Sequence, residues 1–114
     1  MRHLLLISTL TLAAAAAQAS DGDALLQANG CLSCHAKAEK VVGPAFLSIA
    51  DKYRNDKDAA ASLVQSIQNG SKGKWGRIPM PPHASLSGAE LKALSAYLAG
   101  LPGELHTIPQ SKFR

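Results

Sequence analysis

Cys31, Cys34 and His35 stand together as CLSCH, two thiols three positions apart with an imidazole directly after the second. Residues at that spacing lie about one helical turn from each other, so both thiols can reach one edge of the same group while the imidazole swings beneath it. Cys-x-x-Cys-His in this form points to two thioether bonds to haem vinyl groups, with His35 as an axial iron ligand. A structural disulfide, the ordinary use of two cysteines in a secreted chain, does not account for the histidine that follows at once. Two other chemistries use such a thiol pair. A thioredoxin-like dithiol needs a surrounding βαβ pattern, and a zinc site needs a second ligand pair at similar spacing; the sequence offers neither.

Of two methionines, Met1 falls in an N-terminal leader, which leaves Met80 as the thioether available to a second axial position. It sits in IPMPP, between Pro79 and the pair Pro81 and Pro82. Prolines fix φ and withdraw backbone donors, so such a loop can press a polarisable sulfur against a metal with few amides left to satisfy. Alone, the segment also reads as a Pro-rich turn in which methionine merely packs; beside a haem-attachment motif it reads as a ligand loop. A His/Met pair fills both axial positions and favours ferrous iron, which suits outer-sphere electron transfer rather than substrate chemistry.

The leader is MRHLLLISTLTLAAAAAQAS, a basic start, an apolar run and small residues at Ala17 and Ala19. It reads as a secretory signal peptide over 1–19 and implies a periplasmic protein without stable membrane insertion after cleavage. An uncleaved anchor is the other reading, but the run is short for a span and is interrupted by Ser8, Thr9 and Thr11. The remainder, 20–114, is one small domain with a core over about 22–100 and an irregular tail over 101–114. With aromatic residues at 4 %, so small a domain needs something else to fill its core.

The elements that position these residues read as helices, giving an all-α fold of about four helices wrapped round one haem. SDGDALLQAN suits a short helix running into the Cys motif. Pro44 suits the first position of a second helix, PAFLSIADKYR. Leu63, Val64 and Ile67 share one face of a third over roughly 57–69, stopped by Asn69-Gly70. The stretch 70–85 is too rich in Gly and Pro for regular structure. Ser87 and Glu90 fit a capping box, with Leu86 and Leu91 placed as a staple, ahead of a helix over 88–99 that carries Leu91, Leu94 and Leu98 on one stripe.

Taken in order, NGCLSCH, VVGPAF, IQNGSKGKWG, IPMPP and the helix ending AYL resemble the short single-haem class I cytochromes c of bacterial periplasms. The resemblance covers roughly 22–100. It implies a monomeric one-electron carrier, not an enzyme, with one covalent haem c. It also implies redox partners such as a nitrite reductase, terminal oxidase, dehydrogenase or membrane quinol oxidoreductase, and no nucleic acid. By the same resemblance the Pro44 carbonyl accepts a hydrogen bond from His35, and Trp75 packs at the haem edge and donates its indole N–H to a propionate; an ordinary core tryptophan is the other reading. Two positions depart from the family. Ser66 stands where relatives carry an arginine reaching a propionate, and His83 where they carry an asparagine bonding the ligand sulfur. His83 reads either as a surface histidine or as a pH-dependent influence on Met80.

Charge completes the reading. The chain has 12 Lys plus Arg against 8 Asp plus Glu, and Lys37, Lys40, Lys72, Lys74 and Arg77 fall in the two segments flanking the expected haem edge. They form either a basic rim that steers acidic partners or an ordinary solvated surface. Two other functions stay open: a cytochrome subunit held permanently by a dehydrogenase or oxidase through the tail 101–114, and a catalytic or gas-sensing protein in which Met80 does not bind iron.

Overall fold

The computed structural model describes residues 21–103; the leader 1–19 and the tail from 104 onward lie outside the described residues. The chain is helical at 21–28 (α1), makes a single 3-10 turn over Cys31–Ser33, and then forms α2 (Phe46–Tyr53), α3 (Ala59–Asn69) and α4 (Gly88–Ala99). The described residues contain no strand, only two isolated antiparallel bridges, His35 with Lys40 and Ser71 with Met80.

The best-defined helix start is that of α4. Ser87 Oγ accepts from the Glu90 amide at 3.2 Å and Glu90 Oε2 accepts from the Ser87 amide at 2.8 Å, the reciprocal box read from the sequence. Its stripe of Leu91, Leu94 and Leu98 is buried and packs with Leu63 and Ile67 of α3, Phe46 and Ile49 of α2 and Leu26 of α1. Helix α1 approaches α4 very closely: a Cβ at Gly22 would lie 2.2 Å from the Tyr97 ring, and Tyr97 donates its hydroxyl proton to Asp23 at 2.5 Å.

Two boundaries differ from the sequence reading. α2 begins at Phe46, with Ala45 extended at φ −61°, ψ 146° as its N-cap, so Pro44 precedes the helix instead of opening it. A helical residue gives its carbonyl to the amide four positions on, whereas the Pro44 carbonyl is taken by the His35 ring. The orphan amides of Phe46 and Leu47 are bonded instead by the carbonyls of Ala36 and Lys37, both at 3.0 Å. α3 starts at Ala59, two residues after the expected position. It ends at Gly70, φ 80°, as its sequence suggests.

Candidate functional site

The segment from Cys31 to Pro44 folds back on the Cys34 carbonyl, which accepts from the amides of Val42 at 3.2 Å and Gly43 at 2.7 Å. That closure lays Gly43 and Pro44 against the His35 ring. His35 Nδ1 lies 2.7 Å from the Pro44 carbonyl oxygen; a carbonyl can only accept, so Nδ1 carries a proton, and in the neutral imidazole that leaves Nε2 with the lone pair. Phe46 stacks on the imidazole with centroids 5.2 Å apart and planes at 19°. A Cβ at Gly43 would lie 2.6 Å from His35 Cε1. The ring is thus buried, oriented and in one tautomer.

The second arm of the site is the loop after α3. Ser71 and Met80 exchange backbone hydrogen bonds, amide of Ser71 to Met80 carbonyl at 3.0 Å and amide of Met80 to Ser71 carbonyl at 2.8 Å. This closes the intervening residues into a compact loop that carries Trp75. Gly70 admits the closure: a Cβ there would lie 2.6 Å from the Met80 carbonyl oxygen, and its φ of 80° is one that glycine adopts without strain. Past the prolines, the His83 amide donates to the Ile67 carbonyl at 2.9 Å, tying the loop back to α3.

Between the two arms lies a cavity of about 640 Å³. Cys31, Cys34, His35 and Met80, singled out by type and spacing, and Pro44 and Trp75, singled out by the resemblance, all line it, and so does His83. The rest of the wall is mainly apolar, from Leu26, Phe46, Ile49, Leu63, Ile67, Leu94 and Leu98. Cavities of about 300–1,000 Å³ with apolar walls and a few convergent polar groups are those that hold cofactors. The two thiols are free, not joined in a disulfide, and burial pushes the Cys31 thiol above its ordinary range. Among the described residues no group of three or more His, Cys, Asp or Glu is placed to hold a metal ion, so the thiol pair has no zinc partners there, and with no strand the βαβ setting of a redox dithiol is missing.

The donor set fits a haem. Two thiols and an imidazole from one arm face a thioether from the other across a greasy slot, which is the composition of covalent attachment with soft and nitrogen axial ligation. Comparison with known proteins bears out the haem. The sequence model of the cytochrome c family, described as Cytochrome c, matches residues 19–102. The chain belongs to the cytochrome c family.

Relatives of this cytochrome c include the cytochrome c-551 of Pseudomonas aeruginosa, 44 % identical over 95 residues that cover 83 % of this chain and 90 % of the relative. The cytochrome c-552 of Nitrosomonas europaea is 48 % identical over 82 residues, 72 % of this chain and 79 % of the relative. A crystal structure of wild-type Nitrosomonas europaea cytochrome c552 superposes with a TM-score of 0.67 at 46 % identity, covering 69 % of this chain and 98 % of that one. The fold is therefore the small all-α cytochrome c fold, and the cofactor is one covalent haem c.

Sequence reading missed four contributors to the site of this cytochrome. Phe46 appeared only as a helix core residue, although it stacks on His35. Gly43 appeared only within the VVGPAF motif and Gly70 only as a helix stop, although each clears space for a close approach. Lys52, at the end of α2, was not singled out: its Nζ lies 4.5 Å from the Trp75 ring centroid and donates to the Lys74 carbonyl at 3.4 Å. No local motif signals that reach between α2 and the loop. Of the basic residues, Lys40, Lys74 and Arg77 line the cavity and Lys37 and Lys72 are exposed outside it. Ser66 lines it too, bonded by Lys74. No helix among the described residues is long and apolar enough to cross a membrane.

Proposed function

We propose that this cytochrome c is a periplasmic one-electron carrier, exported by a signal peptide over 1–19. In this reading Cys31 and Cys34 form the two thioethers, and His35 and Met80 are the axial ligands. The observation that carries it is the convergence of His35, Met80 and both thiols on one apolar cavity. Bound haem supplies the one-electron ferric/ferrous couple. The chain supplies rigidity. The Pro44 carbonyl and the Phe46 face hold the His35 ring in one orientation and tautomer, which also makes Nε2 more basic as a ligand. The paired backbones of Ser71 and Met80 hold the thioether from the other side. Neither arm needs to move when the valence changes, and with both axial positions filled no side chain has to act as acid or base.

Around the mouth, Val41, Val42 and Ile78 are exposed hydrophobics among the basic residues Lys40 and Arg77. This combination suits brief docking on an acidic redox partner: charge steers the approach and the apolar patch excludes water at contact. Such partners fall among the nitrite reductases, oxidases, dehydrogenases and quinol oxidoreductases implied by the resemblance.

The absorption spectrum of the matured protein tests the ligation. A low-spin ferric form with the weak sulfur-to-iron band in the red is expected, and Met80→Ala should abolish that band and open the iron to carbon monoxide in the ferrous state. A wild-type protein that is high-spin, or that binds carbon monoxide rapidly, would return the sensing or catalytic reading to first place.

A further inference from the structure

The charged and polar groups lining the cavity are unbalanced in one direction. Its lining includes the cations Lys40, Lys74 and Arg77 but no Asp or Glu. From α2, Tyr53 faces the same space, with Lys52 over the Trp75 ring; from α3, Ser66; from the later loop, His83; and from the first arm, His35 with its proton committed to Pro44. None of these supplies a fixed negative charge.

Lys74 is the lysine of this set with a seat. Its Nζ donates to Ser66 Oγ at 2.8 Å, while the Lys40 and Arg77 side chains have no hydrogen-bond partner among the described residues. An ammonium has three donors and a hydroxyl one. With one Lys74 proton spent on Ser66, two remain, and because Ser66 Oγ is accepting, its own proton is left to give elsewhere. The neighbouring Trp75 indole N–H also has no acceptor among the described residues. Lys52 fixes this corner from behind through the Lys74 carbonyl and the Trp75 ring. Two ammonium protons, a hydroxyl proton and an indole N–H, all on residues that line the cavity, are thus left without an acceptor among the described residues, and their complement is a carboxylate carried by the occupant.

We infer that Lys74, seated on Ser66, is the cationic anchor for a carboxylate of the haem in this cavity. The inference rests on reading the cavity as the haem site. It explains how the chain dispenses with an arginine at position 66: the charge comes from the loop, eight residues on, and the serine holds it. The anchor keeps that carboxylate ionised over the working pH range, and it positions the group without touching the iron.

The test is a spectroelectrochemical titration of the haem-loaded protein from about pH 5 to about pH 8, above the ordinary carboxylate range. Wild type and Lys74→Arg are expected to hold a flat midpoint potential. Lys74→Met leaves the carboxylate without its cation, so it takes up a proton in this range and holds it more strongly when the iron is ferrous. The potential of that variant should therefore fall as pH rises, and Ser66→Ala should give a weaker slope of the same sign. Lys40→Met, which removes a cavity lysine without a seat, should stay flat. A Lys74→Met profile that superimposes on wild type, or a Lys40→Met profile that copies Lys74→Met, overturns the anchor. If Lys74→Met fails to mature, Lys74→Gln and Ser66→Ala carry the same comparison. Failure of the underlying reading looks different: the wild type itself would carry no covalent haem.

Discussion

At position 43 only a hydrogen atom separates the backbone from the His35 ring. A methyl group there would lie 2.6 Å from Cε1 and 3.0 Å from both ring nitrogens, and moving the ring away would disturb its stacking with Phe46 and its Nδ1 bond to Pro44. Gly43→Ala should therefore cost about 1–3 kcal/mol in denaturant unfolding and weaken the red ferric band as the ring turns. Gly88→Ala is the control, because a Cβ there meets nothing within 4 Å and position 88 lies in α4; its stability should be unchanged or slightly higher. Equal losses in the two variants would show that Gly43 matters for chain flexibility alone. At this scale the sequence was informative about chemistry and silent about clearance. Cys31, Cys34, His35 and Met80 announce themselves by type and spacing, whereas the need for glycine at 43 and 70 depends on atoms distant in the fold.

Among the elements, the pairing of α1 with α4 rests on Gly22 against Tyr97 and on the bond from the Tyr97 hydroxyl to Asp23. Desolvation, reinforced by the bond to the Asp23 carboxylate and its charge, pushes the Tyr97 hydroxyl up to about 12. The folded value lies above the ordinary one near 10, so the stabilisation is fully present below about pH 10 and is lost as pH rises through about 12. Tyr97→Phe should cost about 1 kcal/mol in urea unfolding at pH 8, and the gap to wild type should narrow by pH 11. No gap at pH 8 would mean that the hydroxyl bond contributes nothing and only ring packing matters. Helix α4 was legible because its start and stripe are written locally, in Ser87, Glu90, Leu91, Leu94 and Leu98. The start of α2 was not, because proline at 44 is equally good just before a helix and inside its first turn. The choice was made by a long-range demand for its carbonyl. The loop from Ser71 to Met80 was legible as irregular but not as closed, since its closing backbone bonds leave no trace in side-chain pattern.

For the molecule as a whole, what matters is how unevenly charge is spread over a surface of modest net charge, +4 in the full chain. Lys40 and Arg77 border the cavity beside Val41, Val42 and Ile78, while Lys57 and Lys92 are exposed elsewhere, before α3 and on α4. An electric field acts on an approaching partner over about 10 Å at moderate salt, so a charge counts by its distance from the docking face. Electron-transfer rates with an acidic partner should fall as ionic strength rises, and Lys40→Glu or Arg77→Glu should lower the low-salt rate by about tenfold and flatten its salt dependence. Lys57→Glu and Lys92→Glu alter net charge by the same amount and should leave the rate nearly unchanged, measured by stopped flow over a salt series. If all four reversals acted alike, net charge alone would govern the encounter and the cavity mouth would not be the docking face. If none acted, apolar contact through Val41, Val42 and Ile78 would carry association without steering, and truncating Ile78 to alanine would then lower the rate equally at every salt concentration.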